Sequence, residues 1–209
     1  MQRHIDAALL LLAAHLAARH TESLLAKRAL FVLLAVLLVS CSKTTYTNGV
    51  LNLVQVEPGL WRSGQPIAAS EWVYLKGQGV HHVVKLNFDS EGSDGGATAI
   101  GLDVHLLSIQ PEGDKDLFDN ISNTFVRPEV SKLVEAEKVI AAGGGVLVHC
   151  THGQDRTGLV IGIHRVMHEH MSKDNAYHEM VENHFHPELH GLHEFWENFD
   201  GTLSAVTLK

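Results

Sequence analysis

The chain is poor in cysteine, in basic charge and in proline, and each shortage removes a class of protein. Two cysteines among 209 residues, Cys41 and Cys150, exclude a disulfide-stapled scaffold and a four-cysteine zinc site. A single Cys41–Cys150 bridge is all that counting leaves open. Sixteen Lys and Arg against 24 Asp and Glu give a net charge of −8, which excludes nucleic acid as a broadly captured electrostatic partner. Five prolines and 18 glycines are too few for low complexity, and 45% apolar positions supply a core for one domain plus a short appendage.

What is there begins with Leu30 to Val39, an unbroken apolar run of ten residues behind Lys27-Arg28. Ten helical residues at about 1.5 Å each fall short of a hydrocarbon layer of roughly 30 Å, but they match the core of a signal peptide. The run ends Leu38-Val39-Ser40-Cys41, which resembles the lipobox of bacterial lipoproteins. The resemblance implies that Cys41 is lipidated and becomes the first residue of an exported protein, anchored to a membrane through that lipid in the periplasm or at the cell surface. Residues 1–40 are then signal peptide and extension, and 41–52 a lipidated cysteine with a polar tether. The net charge of what remains falls from −8 to −10, because four basic and two acidic residues leave with the precursor segment. Residues 1–26 receive no function; they imply a start downstream of Met1 or an unusual extension.

From residue 53 to about 202, apolar patterning alternates strand and helix. Val54–Val56 and Leu60–Arg62 form a short hairpin, Ala68–Lys76 a helix, Val80–Leu86 a strand, and Asp103–Ile109 another strand. A short helix is expected over Ala97–Gly101. Pro128–Ala142 reads as a helix, with proline in its first turn and Val130, Leu133, Val134 and Val139 on one stripe. Val146-Leu147-Val148 is a fully apolar strand, followed by helices over Thr157–Met171, Lys173–Asn183 and Pro187–Phe199. The expected fold class is α/β, a central and mostly parallel sheet flanked by helices.

The chemistry concentrates at the strand-to-helix junction His149-Cys150-Thr151-His152-Gly153-Gln154-Asp155-Arg156-Thr157-Gly158. A cysteine at a loop mouth, facing the positive end of a helix, is held toward the thiolate and placed as a nucleophile. Thr151, His152, Gly153, Gln154 and Asp155 offer backbone N–H groups to an anion, with Gly153 permitting the tight turn. Arg156 can return its planar fork to two phosphate oxygens. Thr157 can donate to the sulfur, and His149 fixes the loop through its ring N–H.

His-Cys-x5-Arg-Thr after an apolar strand resembles the signature of the cysteine-dependent protein tyrosine phosphatase superfamily. Trp61-Arg62-Ser63-Gly64-Gln65-Pro66 is similar to the opening of bacterial and atypical dual-specificity phosphatases. Glu112-Gly113-Asp114-Lys115-Asp116-Leu117-Phe118 is similar to a segment of the plant and fungal atypical enzymes. The likeness covers about residues 58–199. It departs at Asp114, which stands for asparagine, and at Gln154-Asp155, which stand in part for basic residues. The resemblance implies a dual-specificity-phosphatase-like fold, a phosphocysteine intermediate, and no metal or other cofactor. It implies as substrate a phosphorylated protein or a small phosphorylated molecule, with an inositol phosphate or phosphoinositide as the alternative. An inactive phosphate-binding module is the alternative from outside the enzymes.

A family member supplies a general acid some thirty to forty residues before the cysteine. Asp114, Asp116 and Asp119 lie 36, 34 and 31 residues upstream, and Asp114 is preferred because Pro111 and Gly113 put it on a tight tip. Asp155 competes, since myotubularin-like phosphatases carry an aspartate at this place, although it also suits a helix cap. Sixteen histidines are many, and ten lie between His149 and His193. His164 with His168, and His190 with His193, have helical spacings that suit a shared metal. Their charged neighbours read instead as solvated helical faces, so no metal ligand is assigned. His152, within the loop, can offer a cation at mildly acidic pH. Lipidation would consume Cys41 and leave Cys150 as the free thiol.

Overall fold

A computed structural model describes residues 44–110 and 130–203 of the chain. Cys41, the signal-like run and the acid candidates Asp114, Asp116 and Asp119 lie outside the described residues. The first described elements are two short strands, β1 (Tyr46–Thr47) and β2 (Val50–Leu51), paired antiparallel. Asn48 and Gly49 join them, both at positive φ (49° and 87°), the geometry of a type I′ hairpin turn. Val50 is fully buried, and the Gly64 N–H donates to Leu51 O. The segment read as a tether up to residue 52 is therefore folded onto the domain from about Thr44.

Five strands follow: β3 (Val54–Glu57), β4 (Leu60–Ser63), β5 (His82–Lys85), β6 (Asp103–Leu106) and β7 (Val146–His149). They form one sheet in the order β3-β4-β7-β5-β6. β3 and β4 pair antiparallel as the expected hairpin, with an irregularity between Gln55 and Glu57; every other pairing is parallel. β7 is central and wholly buried. Val146 and Val148 belong to the core on one face of the sheet and Leu147 to the core on the other, so a strand covered on both sides reads as a continuous apolar run.

Six helices are described: α1 (Ala69–Gly77), α2 (Gly95–Ala99), α3 (Val130–Ala142), α4 (Asp155–Met167), α5 (Lys173–Glu182) and α6 (His190–Asn198). Trp72 and Leu75 of α1 pack with Ala97 of α2, Val83 and Leu147 on one face. Leu133 and Ile140 of α3, Leu159 and Ile163 of α4, Met180 of α5 and Trp196 of α6 pack with Val84, Val146 and Val148 on the other. This is the expected α/β fold with a central, mostly parallel sheet between helices. Two details differ from the expected pattern. α4 starts at Asp155, two residues before Thr157, because the loop needs only residues 151–154 to turn. The His164–His168 pair is not a solvated face: His164 is 4% exposed, since α3 packs across it and sets Glu137 against its ring. Among the described residues no helix is long and apolar enough to cross a membrane.

Candidate active site

Ser63, Lys85 and His149 are register partners at the carboxyl ends of β4, β5 and β7. The chain leaves β7 into Cys150, turns through residues 151–154 and enters α4, so strand ends and a helix amino terminus converge on one cysteine. Cys150 is a free thiol, 3% exposed.

The loop's carbonyls are held from one side. Thr151 O accepts from the Gln65 N–H at 3.1 Å and His152 O from Asn52 Nδ2 at 2.9 Å. Gly153 O and Gln154 O accept from Arg62 Nη2 at 2.8 and 3.5 Å. In a trans peptide the N–H of the next residue points opposite to the carbonyl. The N–H groups of residues 152–155 are thereby turned away from these donors, and those of 152–154 donate to no described residue. They form a nest for an anion. Gly153 sits at φ +74°, and a Cβ there would lie 2.3 Å from the backbone carbon of Ser63. No other residue fits that turn.

Arg62, 2% exposed, has its pKa pushed down to about 10 by burial, against the pull of Cys150, Glu179 and Asp155. Arg156 is 5% exposed and its fork is held by Glu91: Nη1 donates to Oε2 at 2.9 Å and Nη2 to Oε1 at 2.7 Å. The remaining Nη protons go to Ile109 O (3.3 Å) and Thr151 Oγ1 (3.0 Å). The Cys150 thiol is a further side-chain partner of this guanidinium. Glu91 also accepts from Thr151 Oγ1 at 2.8 Å and from the Phe88 N–H at 2.8 Å, and the Arg156 bonds above all hold its carboxylate down at a pKa of about 2. Burial alone would lower the Arg156 pKa, but Glu91 and Cys150 raise it. The guanidinium stays charged.

His149 does fix its surroundings through a ring nitrogen, but to a side chain beyond the loop. Its Nε2 lies 2.8 Å from Asp94 Oδ2, and its Nδ1 is buried without a partner. Asp94 is 5% exposed; burial would raise its pKa, yet the bonds to His149 and Gln65 and the charge of Lys85 lower it. Gln65 Nε2 donates to Asp94 Oδ1 at 2.7 Å, and Asn87 Nδ2 donates to Gln65 Oε1 at 2.9 Å. The expected hydrogen bond from Thr157 to the sulfur is not formed. It lies inside the first turn of α4 rather than at its start, and its buried Oγ1 has no hydrogen-bond partner. Asp155 is engaged elsewhere: its Oδ1 accepts from the His186 N–H at 2.8 Å and lies 2.9 Å from His186 Nδ1. That ties it to the segment between α5 and α6. His152 is exposed at the loop's rim.

Glu91, Asp94, Arg62 and Asn52 were not anticipated. Asn52 follows the Asn48-Gly49 turn, whose dipeptide is a readable hairpin signal; Arg62 lies in the Trp61–Pro66 run, which carries no sign of its role on the loop; Glu91 and Asp94 carry no local signal.

A buried thiol, an anion nest and a fixed guanidinium at the mouth of a parallel sheet define a phosphate-handling domain with a cysteine at its centre. The chain belongs to the tyrosine phosphatase family, whose family model matches residues 52–184. It is 34% identical over 116 residues to inositol diphosphatase DSP2 of Oryza sativa subsp. japonica, covering 54% of this chain and 52% of that protein. It is 30% identical over 130 residues to dual specificity protein phosphatase TpbA of Pseudomonas aeruginosa, covering 62% and 53%. The matches thus span about half the length of these curated relatives. The crystal structure of TpbA superposes with a TM-score of 0.58 at 21% identity, over 76% of this chain and 90% of that one. The catalytic core of the SIW14 phosphatase of S. cerevisiae superposes at 0.55 and 19% identity, over 71% and 85%. The fold is that of dual-specificity and tyrosine phosphatases.

Proposed function

We propose that the chain hydrolyses phosphate monoesters with Cys150 as nucleophile, in the manner of a tyrosine or dual-specificity protein phosphatase. The observation that carries this reading is the loop whose carbonyls at residues 151–153 are held by the Gln65 N–H, Asn52 and Arg62, leaving N–H groups beside the thiol. The Cys150 sulfur attacks phosphorus as the bond to the leaving oxygen breaks. The nest and Arg156 bind the equatorial oxygens, and a carboxylic acid gives its proton to the departing oxygen. Water then attacks the phosphocysteine, releasing phosphate and restoring the thiolate. Asp114 is the proposed acid, with Asp116 and Asp119 as the alternative assignments.

A single monoester suits the local charge. Arg156 already shares its charge with Glu91, and Gln154-Asp155 add no cation, so a densely phosphorylated ring finds little to neutralise it. The inositol phosphate reading is kept as the second because DSP2, an inositol diphosphatase, is among the relatives. A phosphate-release screen over phosphotyrosine peptides, phosphoinositides and inositol phosphates separates the two. Cys150→Ser assayed beside wild type on p-nitrophenyl phosphate decides whether the domain is an enzyme or an idle phosphate binder. We further propose export and lipid anchoring at Cys41, checked by lipid labelling lost in Cys41→Ala.

A further inference from the structure

The end of α4 away from the phosphate loop carries a second gathering of ligand-type side chains. Glu137 reaches in from α3, His164 lies within α4, and His168 caps it. We propose that Glu137, His164 and His168 bind a divalent transition-metal ion of the zinc type.

Distances support it. Glu137 Oε2 lies 3.1 Å from His164 Nδ1 and 3.4 Å from His168 Nε2, and one ligand atom from each residue falls within 4.8 Å of the others. Tetrahedral Zn²⁺ with bonds of about 2.0–2.1 Å holds its ligand atoms about 3.3 Å apart. The two pairs measured already have that spacing, and the His164 and His168 rings, stacked at 5.0 Å with 29° between their planes, must turn for both lone pairs to meet one ion. Histidines at i and i+4 on one helix, with a carboxylate from a packed neighbour, are a donor set that zinc accepts.

Two further observations point to a cation rather than a plain ion pair. The Glu137 side chain is 6% exposed, yet its Oε1 is buried with no hydrogen-bond partner, a desolvated acceptor that costs free energy unless something answers it. On the opposite edge of the His164 ring, Glu57 Oε1 stands 3.6 Å from Nε2. A carboxylate on that side favours the proton on Nε2, the tautomer that turns the Nδ1 lone pair toward a metal. Glu137 and His168 also line a cavity of about 330 Å³, which leaves room for water as a fourth ligand. The ion would brace β3, α3 and the far end of the helix whose near end forms the phosphate site.

The test uses the full chain carrying Cys41→Ser and Cys150→Ser, so that no thiol competes. After chelator treatment it is titrated with Co²⁺, then with Zn²⁺. The expected result is one equivalent of Co²⁺ with the strong visible bands of four-coordination, displaced by Zn²⁺. Affinity should fall about 100-fold or more in His168→Ala and about 10- to 100-fold in Glu57→Gln. It should be unchanged in His82→Ala, which opens the separate His82–Asp103–His105 cluster. His168 is a partly exposed helix-end residue, and His168→Cys should restore binding with an added sulfur-to-metal band. Binding unaltered in His168→Ala, weak six-coordinate spectra, or loss in His82→Ala instead would each overturn the proposal.

Discussion

Replacing Glu91 by Gln asks whether that carboxylate orients Arg156 or stands in the substrate's way. Glu91 takes one proton from each Nη of Arg156, at 2.9 and 2.7 Å. Nε is not taken by Glu91, and the second Nη2 proton is lent to Thr151 Oγ1. A phosphate can therefore engage the Nε–Nη2 edge by displacing one hydroxyl, with Glu91 still in place on the other edge. Gln keeps one acceptor and turns the other contact into N–H against N–H. The loss of one charge-assisted bond is worth about 1.5–3 kcal/mol. At about 1.4 kcal/mol per factor of ten, kcat/KM on p-nitrophenyl phosphate should fall about tenfold to hundredfold. Most of that should lie in kcat, because the fork matters most to the transition-state oxygens. Orthovanadate inhibition should weaken in parallel. If Glu91→Gln instead raises kcat/KM, or leaves it unchanged in a protein of wild-type thermal stability, Glu91 does not position Arg156 and the assignment of the fork's two edges is wrong.

Gly153→Ala should abolish activity and phosphate binding, since its Cβ would meet Ser63 backbone at 2.3 Å in a left-handed turn; thermal melts with and without vanadate would show the lost ligand response. Asp155→Asn should keep the alkaline limb of the pH–rate profile, because that carboxylate holds His186, whereas Asp114→Asn should lose most activity at high pH and least on good leaving groups. Glu91 has a folded pKa of about 2 against an ordinary 4.5, so its stabilisation is complete above about pH 4.5 and drains away as pH falls toward 2. Acid titration followed by tryptophan fluorescence should therefore be less steep in that interval for Glu91→Gln.

The legible parts were those in which one segment carries its own reason. Val146-Leu147-Val148 reads as a strand because β7 is covered on both faces, and Pro128 with the Val130–Val139 stripe marks α3 to within two residues. The cysteine and arginine are six residues apart at a strand–helix junction, so their meeting is local. What escaped depends on contacts without local pattern. Glu91 meets Arg156 across 65 positions, and Asp94 meets His149 across 55. Each is an ordinary acid in an acid-rich loop until the fold closes. His164 escaped for a related reason: Arg165 and Glu169 beside it are charged residues that read as a solvated face, but the burial of His164 is decided by α3, which lies across it. Asn48-Gly49 was the exception. Its turn chemistry was present in the sequence, inside a stretch read as a tether.

The Cys-x5-Arg spacing by itself does not make an anion nest. Four inward N–H dipoles oppose one another until an anion arrives, so the loop needs something to hold its carbonyls the other way. Here those donors are Asn52, Arg62 and the Gln65 backbone, about ninety residues earlier in the chain. This gives physical content to the run Trp61-Arg62-Ser63-Gly64-Gln65-Pro66. Arg62 holds two loop carbonyls, Gly64 ties to Leu51 at 2.7 Å, and Gln65 serves the loop with its backbone and Asp94 with its side chain. The run lies beside the loop that holds Cys150, the proposed nucleophile. Its task is to keep the loop in the shape that an empty site would otherwise relax.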